Sequence, residues 1–299
     1  DSPETACVQD DIVHDDIAPM IQFTQGVGSV WIKDSNVDIL FSVNDDGSGV
    51  REIQCDRNGS GTFQNCGTNV SYTNLSENAN YLLVVRATDK AGNQADPQQL
   101  NWRPDFTPPT VTFNSTPAAI TADVTPDFTF TGNDLGSGIA SYECKIDDAE
   151  YAPCTSPSSL SGLADGNHTY SVRAIDGVGH VYPPASFSWV QDTMAPTIAF
   201  TQTPQAIENS MTATFAFTVV AGDLQSFECS LDGGAYQMCT SPQTLTNLAD
   251  GNHTFSVIGR DAAMNASAPI SYSWLVDTVP PTISFSETPQ PIENTHNAT

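Results

Sequence analysis

The sequence predicts an all-β fold, tandem immunoglobulin-like β-sandwich domains in an elongated array. Three observations lead to it. The chain copies itself at a spacing of 85 to 90 residues, and each copy carries two cysteines ten or eleven residues apart. Short β-branched and aromatic runs alternate with Gly, Asn and Asp turns, with no helical periodicity. Twenty prolines further discourage helix.

A chain of 299 residues exceeds what a single core usually holds. The repeat divides it into an N-terminal segment (1–16), Ig-like repeats over 17–105, 106–192 and 193–277, and the opening of a fourth over 278–299. The second and third copies match most closely. SYECKIDDAEYAPCTSP (141–157) answers SFECSLDGGAYQMCTSP (226–242), and LADGNHTYSVRAID (163–176) answers LADGNHTFSVIGRD (248–261). The first copy is more divergent but keeps the spaced cysteines and the run Tyr81–Asp89.

The third copy gives the elements in order. Thr197–Thr201 reads as the first strand, and Ala213–Val219 as the second, with Phe215 and Phe217 on one face. Ser226–Leu231, the turn Asp232-Gly233-Gly234 and Ala235–Cys239 read as a hairpin. Thr254–Gly259 and Ile270–Val276 close the unit around a turn at Asp261–Asn265. Tyr81, His168 and His253 occupy the position before the sixth strand where such folds carry a corner tyrosine. Trp102, Trp189 and Trp274 recur late in each copy as core or interdomain packing residues.

Cys55 with Cys66, Cys144 with Cys154, and Cys229 with Cys239 are expected to form disulfides that clip the hairpin arms. The chain has no C-x-x-C, which argues against zinc and thioredoxin chemistry. Each bridge closes a loop worth roughly 2–3 kcal/mol by chain entropy. Local disulfides in an acidic, Ser/Thr-rich chain point to an oxidising, extracellular or cell-surface setting. Cys7 is left over: its partner lies upstream, or it bridges to another molecule. The opening DSPETACVQDD lacks the basic and apolar regions of a signal peptide, as a processed chain would.

Nine basic against 35 acidic residues give a net charge of −26. That surface repels nucleic acid and anionic membrane and attracts divalent cations. No apolar run is long enough for a membrane helix, so no membrane insertion is expected in this segment. Each copy opens with an aspartate four residues before a proline: Asp15, Asp105, Asp192 and Asp277. In an Ig sandwich the chain entry, the second-to-third-strand loop and the sixth-to-seventh-strand loop meet at one end. Those loops carry Asp45, Asp134 and Asp223, and Asp89, Asp176 and Asp261, respectively. Calcium, which takes six to eight oxygen ligands, is the expected cofactor at these sites. Turn preference alone also places Asp and Asn in such loops. The third copy's loop, Ala221-Gly222-Asp223, is two residues shorter, so its site is expected to be weaker or missing.

The Asp-x-x-[Ala/Pro]-Pro openings, the Asp89-Lys90-Ala91-Gly92-Asn93 turn and the block E-C-x-x-D-G-x-A-Y-x-x-C-T-S-P resemble the bacterial Ig-like repeats of large multi-repeat surface adhesins and secreted proteins. The likeness covers about residues 17–299. It implies an Ig-like fold and calcium between domains that stiffens the array. It leaves the partner open, because such repeats serve as stalks, ligand heads and filament subunits.

Neither G-x-S-x-G, H-E-x-x-H, a P-loop nor a Rossmann glycine run occurs. His168 and His253 are repeat-equivalent, and His14, His180 and His296 stand isolated. No catalytic residues are assigned and no enzymatic activity is expected. Eight N-x-[Ser/Thr] sequons occur, at Asn58, Asn69, Asn74, Asn114, Asn167, Asn252, Asn265 and Asn297. The leading expectation is a semi-rigid, non-enzymatic stalk segment of a surface adhesin. A filament subunit assembled by strand exchange or end-to-end contacts is the second reading, and a glycan- or protein-binding head the third. Expected partners are therefore cell-surface or extracellular proteins and glycans, or further copies of the chain. Any head would sit in the first copy, at Arg57–Phe63.

Overall fold

The computed structural model describes residues 14–25 and 31–287. Cys7, His296, the sequon at Asn297, most of the N-terminal segment and the end of the fourth opening lie outside the described residues. Spatial proximity groups the chain into two compact units. One holds the residues through Pro117 with 126–160 and 168–188; the other holds 118–125, 161–167 and the residues from Trp189 onward. The hydrogen-bonded sheets follow the sequence repeat instead, and each pair of sheets is described separately.

The first repeat contains β1 (Met20–Gln25), β2 (Trp31–Ile32), β3 (Val37–Asn44), β4 (Val50–Asp56), β5 (Gln64–Asn65), β6 (Asn69–Tyr72), β7 (Tyr81–Asp89) and β8 (Gln98–Pro104). The second contains β9 (Thr110–Ser115), β10 (Ile120–Thr121), β11 (Asp127–Asn133), β12 (Ile139–Ile146), β13 (Ala152–Cys154), β14 (Ser158–Ser159), β15 (Gly166–Asp176) and β16 (Ala185–Gln191). The third contains β17 (Thr197–Gln202), β18 (Ile207–Glu208), β19 (Ala213–Ala221), β20 (Ser226–Leu231), β21 (Gln237–Cys239), β22 (Gln243–Leu245), β23 (Gly251–Arg260) and β24 (Ile270–Val276).

All three repeats share one topology. A three-stranded sheet (β1-β3-β6, β9-β11-β14 or β17-β19-β22) accompanies a five-stranded one. The five-stranded orders are β2-β8-β7-β4-β5, β10-β16-β15-β12-β13 and β18-β24-β23-β20-β21. Pairing is antiparallel except where the two-residue strand joins the last strand in parallel, as in Ile207↔Leu275. These are tandem Ig-like β-sandwiches.

Period-two alternation builds the cores. On β19, Ala213, Phe215 and Phe217 are buried and meet Val257 and Phe255 of β23 and Trp274 of β24. The Phe215 and Phe255 rings lie 4.5 Å apart. Fully burying each such ring contributes about 1.5–3 kcal/mol. In the first repeat Ile39, Phe41 and Val70 face Leu83, Val85 and Trp102. In the second, Phe128 packs on Tyr170 at 4.6 Å and Phe113 at 5.7 Å. The three late tryptophans are core residues.

The expected disulfides are all present: Cys55–Cys66, Cys144–Cys154 and Cys229–Cys239, each with a Cα–Cα distance of 5.8 Å. Each lies diagonally across its hairpin, since Cys144 faces Ala152 while Tyr142 faces Cys154. The repeated T-S-P that follows has a packing role. Ser156 Oγ accepts the N–H of Phe130 and Ser241 Oγ that of Phe217, at 2.9 and 2.8 Å, pairing a strand donor beyond the end of β14 or β22.

Two strand starts in the third repeat differ from the sequence expectation. The return arm of the third hairpin begins at Gln237, not Ala235, because Gly234 still belongs to the turn. Its N–H bonds Leu231 O at 3.0 Å, and its own carbonyl accepts Ser230 Oγ–H. β23 starts at Gly251 rather than Thr254, extended by pairing with β24. The fourth opening, 282–286, forms no strand, and Ile283 and Phe285 are 88% and 89% exposed.

Candidate functional site

Among the described residues, three clusters built on carboxylates form at the entries to the three sandwiches. Asp15, Asp45 and Asp89 come together, as do Asp192, Asp223 and Asp261, with ligand oxygens within 4.8 Å of one another. In the second repeat Asp105 and Asp176 join His180 within the same distance. Asp134 is the one expected ligand outside these groups. Its Oδ2 accepts the N–H groups of Gly136 and Gly138 at 3.1 and 2.6 Å, which closes its own loop.

Each cluster is assembled from turns. In the sixth-to-seventh-strand loop, Asp89 Oδ1 accepts the N–H of Gly92 and Asn93, and Asn93 N–H2 bonds Asp89 Oδ2 at 2.7 Å and Asp15 O at 3.0 Å. Asn265 repeats this on Asp261 Oδ2 at 2.8 Å and Asp192 O at 2.9 Å. His180 takes that position in the second repeat, with Nδ1 2.8 Å from Asp176 Oδ2. The sequence reading left His180 isolated. Aligning Asn93, His180 and Asn265, each four residues after the loop aspartate, carries the signal that locates it.

The opening aspartates join successive repeats. Asp105 N–H bonds Ile32 O at the end of the first sandwich, while Asp105 Oδ2 accepts Ser137 N–H at 2.7 Å in the second. Burial raises the Asp105 carboxyl, but the Ser137 hydroxyl and N–H, the Thr107 N–H and the charge of His180 outweigh it and leave the pKa low. Asp15 is also held low, by the Ser48 hydroxyl and N–H and the Ile17 N–H. Glycine is required beneath both, since a Cβ on Gly47 or Gly136 would lie 2.3 Å from the Asp15 or Asp105 carboxyl carbon.

A second linker contact was not foreseen. Glu77 accepts the N–H of Phe106, Asp165 the N–H and hydroxyl of Thr193, and Asp250 those of Thr278, all at 2.8–3.1 Å. The Asp250 carboxyl is lowered by these Thr278 bonds. The corner position is also polar. Tyr81 Oη accepts Ser76 N–H, whereas His253 sits between Asp232 Oδ2 and Ala249 O, each 2.8 Å away. Both neighbours only accept, so His253 bonds both only as the imidazolium, and its pKa is raised by Ala249 O and Asp232.

The first and third clusters, whose ligand atoms are all oxygens, suit a hard cation; in the second a His180 nitrogen takes one of the three places. Buried or half-buried carboxylate oxygens converge, and Asp45 Oδ1 is enclosed without a hydrogen-bond partner. Oxygens that already accept an N–H keep a second lone pair for a metal. In the third cluster Asp223 is exposed.

Neither a protein-family model nor a curated protein matches the chain. Among solved structures, the fibronectin(III)-like modules of Clostridium thermocellum CbhA are similar at 19% identity and TM-score 0.39, over 56% of this chain and 94% of that one. The chicken CNTN1 FN1–FN3 domains are similar at 15% identity and TM-score 0.36, over 87% and 98%. Sidekick-1 immunoglobulin domains 1–5 are similar at 17% identity and TM-score 0.41, over 88% and 59%.

Proposed function

We propose that this chain is a non-enzymatic extracellular stalk segment of a bacterial surface adhesin, its repeats 17–105, 106–192 and 193–277 joined semi-rigidly and stiffened by calcium. The observation that supports it is the two-sided hold on the linker aspartates. Asp105 N–H bonds one sandwich and its carboxylate the next, and Asp192 N–H likewise bonds Thr121 O while its carbonyl accepts Asn265 N–H2. Such contacts cost a hinge its freedom, because each linker bond must break before the joint bends. Three disulfides and an acidic surface fit an oxidising exterior.

Calcium in this reading is held by Asp15, Asp45 and Asp89, by Asp105 and Asp176 with backbone oxygens, and by Asp192, Asp223 and Asp261. Extracellular sites of this kind work at calcium concentrations of about 10⁻⁴–10⁻³ M. Small-angle scattering of the chain in calcium tests the stalk: a maximum dimension on the order of 100 Å is expected, at roughly 30–40 Å per sandwich. A compact particle that calcium leaves unchanged contradicts it.

A second reading is a filament subunit assembled by strand exchange or end-to-end contacts. Concentration-dependent polymers in light scattering favour it over the stalk.

A further inference from the structure

Each sandwich has a hollow in the same place, between the disulfide-clipped hairpin and the neighbouring edge of the three-stranded sheet. In the third repeat it measures about 340 Å³ and is lined by Leu231, Met238, Leu245 and Phe255. In the second it measures about 320 Å³, with Ile146, Pro153, Leu160 and Tyr170. In the first it enlarges to about 510 Å³, within the 300–1,000 Å³ range of small-molecule sites, and its lining is polar.

The change has a sequence cause. Arg57 stands two residues after the hairpin's first cysteine, where the other repeats place Ile146 and Leu231. Its Nη1 donates to Ser71 O at 3.1 Å, and its guanidinium lies over Tyr72 at 5.6 Å. A longer loop follows, in place of the tight turns at Asp147 and Asp232. Asp56, 3% exposed, anchors that loop by accepting the N–H groups of Asn58, Ser60 and Gly61. The only carboxylate in the lining is thereby taken up internally.

What remains is a set of amides and a hydroxyl, chiefly Asn58, Thr62, Gln64, Asn65 and Asn69, since the Ser60 hydroxyl is held between Asp56 and the Thr62 N–H and Asn65 Oδ1 accepts from Gln54. These groups donate and accept together, as sugar hydroxyls do. The chain's net charge of −26 disfavours anionic ligands. We propose that this hollow is a binding site for a neutral saccharide, which makes the first repeat the recognising member of an otherwise structural array.

The test is NMR titration of the isotope-labelled chain with neutral tetrasaccharides of glucose, mannose, galactose or N-acetylglucosamine at millimolar concentration. At least one is expected to shift amides within 56–69 saturably and leave 144–160 and 229–245 unmoved. Asn65→Ala with Asn69→Ala, both on exposed positions, and separately Arg57→Leu, are expected to weaken binding about tenfold or more without lowering the melting temperature. No shift with any of the four overturns the proposal. So does an equal response at all three hollows, or a response only to charged saccharides or peptides.

Discussion

Asp105 and Asp192 occupy the same place in the repeat and are held differently. Asp105 is fully buried, and its Oδ2 lies against Ser137 N–H at 2.7 Å over Gly136. Asp192 is partly exposed, and its Oδ1 accepts the Met194 N–H at 3.0 Å. The loop explains this. Asn133–Gly138 wraps the first carboxylate, whereas the shorter loop around Gly222 sets its backbone against Pro196 instead. Two residues of loop therefore decide whether the neighbouring loop's backbone closes over the carboxylate or leaves it partly open.

The largest effect expected from that contrast is on stability. Asp105→Ala leaves the part-buried Ser137 N–H without its acceptor beside an emptied buried position, which costs about 2–3 kcal/mol. Asp192→Ala is expected to cost under about 1 kcal/mol in metal-free buffer, since one exposed bond is lost. Chemical denaturation of the two variants measures the gap, and equal losses would erase the distinction. The residue before each linker aspartate gives the next test. Gln191 is 1% exposed with neither amide atom partnered, where the other repeats have Pro104 and Val276. Gln191→Val is expected to raise stability by about 1–3 kcal/mol by removing an unsatisfied buried amide.

The smallest effect is a pH dependence in the third repeat. The raised His253 pKa contributes stability that is full below the unfolded value of 6.5 and is lost as pH rises through the folded value. Burial raises the Asp232 carboxyl, but His253 and the Thr254 N–H outweigh it and leave it lowered. Its contribution is therefore present above 3.8 and lost as pH falls through the depressed value. The pair is thus fully stabilising between 3.8 and 6.5 and weakens beyond either value. NMR titration of His253 should give a pKa above 6.5 that falls in Asp232→Asn; an unshifted His253 contradicts the two-acceptor geometry.

The sandwich strands, the three disulfides and most of the carboxylate clusters were legible in sequence, because alternation, spacing and turn chemistry are local signals. The two-residue strands β2, β10 and β18 were not. Each exists only through its parallel partner, and a pair such as Ile207-Glu208 has no period of its own. Asp134 and Asp45 read alike and close their loops alike, each Oδ2 accepting two glycine N–H groups, yet only Asp45 lies within 4.8 Å of its neighbours' ligand atoms, a difference of position that the sequence does not carry. The Glu77, Asp165 and Asp250 clamps were missed because each carboxylate meets a linker 28 or more residues away.

Calorimetric titration of chelator-stripped chain with calcium is the most direct test of a cation-stiffened linker. The account expects saturable heat in the 10⁻⁴–10⁻³ M range, abolished at the matching site by Asp89→Asn or Asp261→Asn, and about 1.4 kcal/mol of added stability per site at ten times Kd. Absence of heat at millimolar calcium, with an unchanged melting temperature, would contradict it.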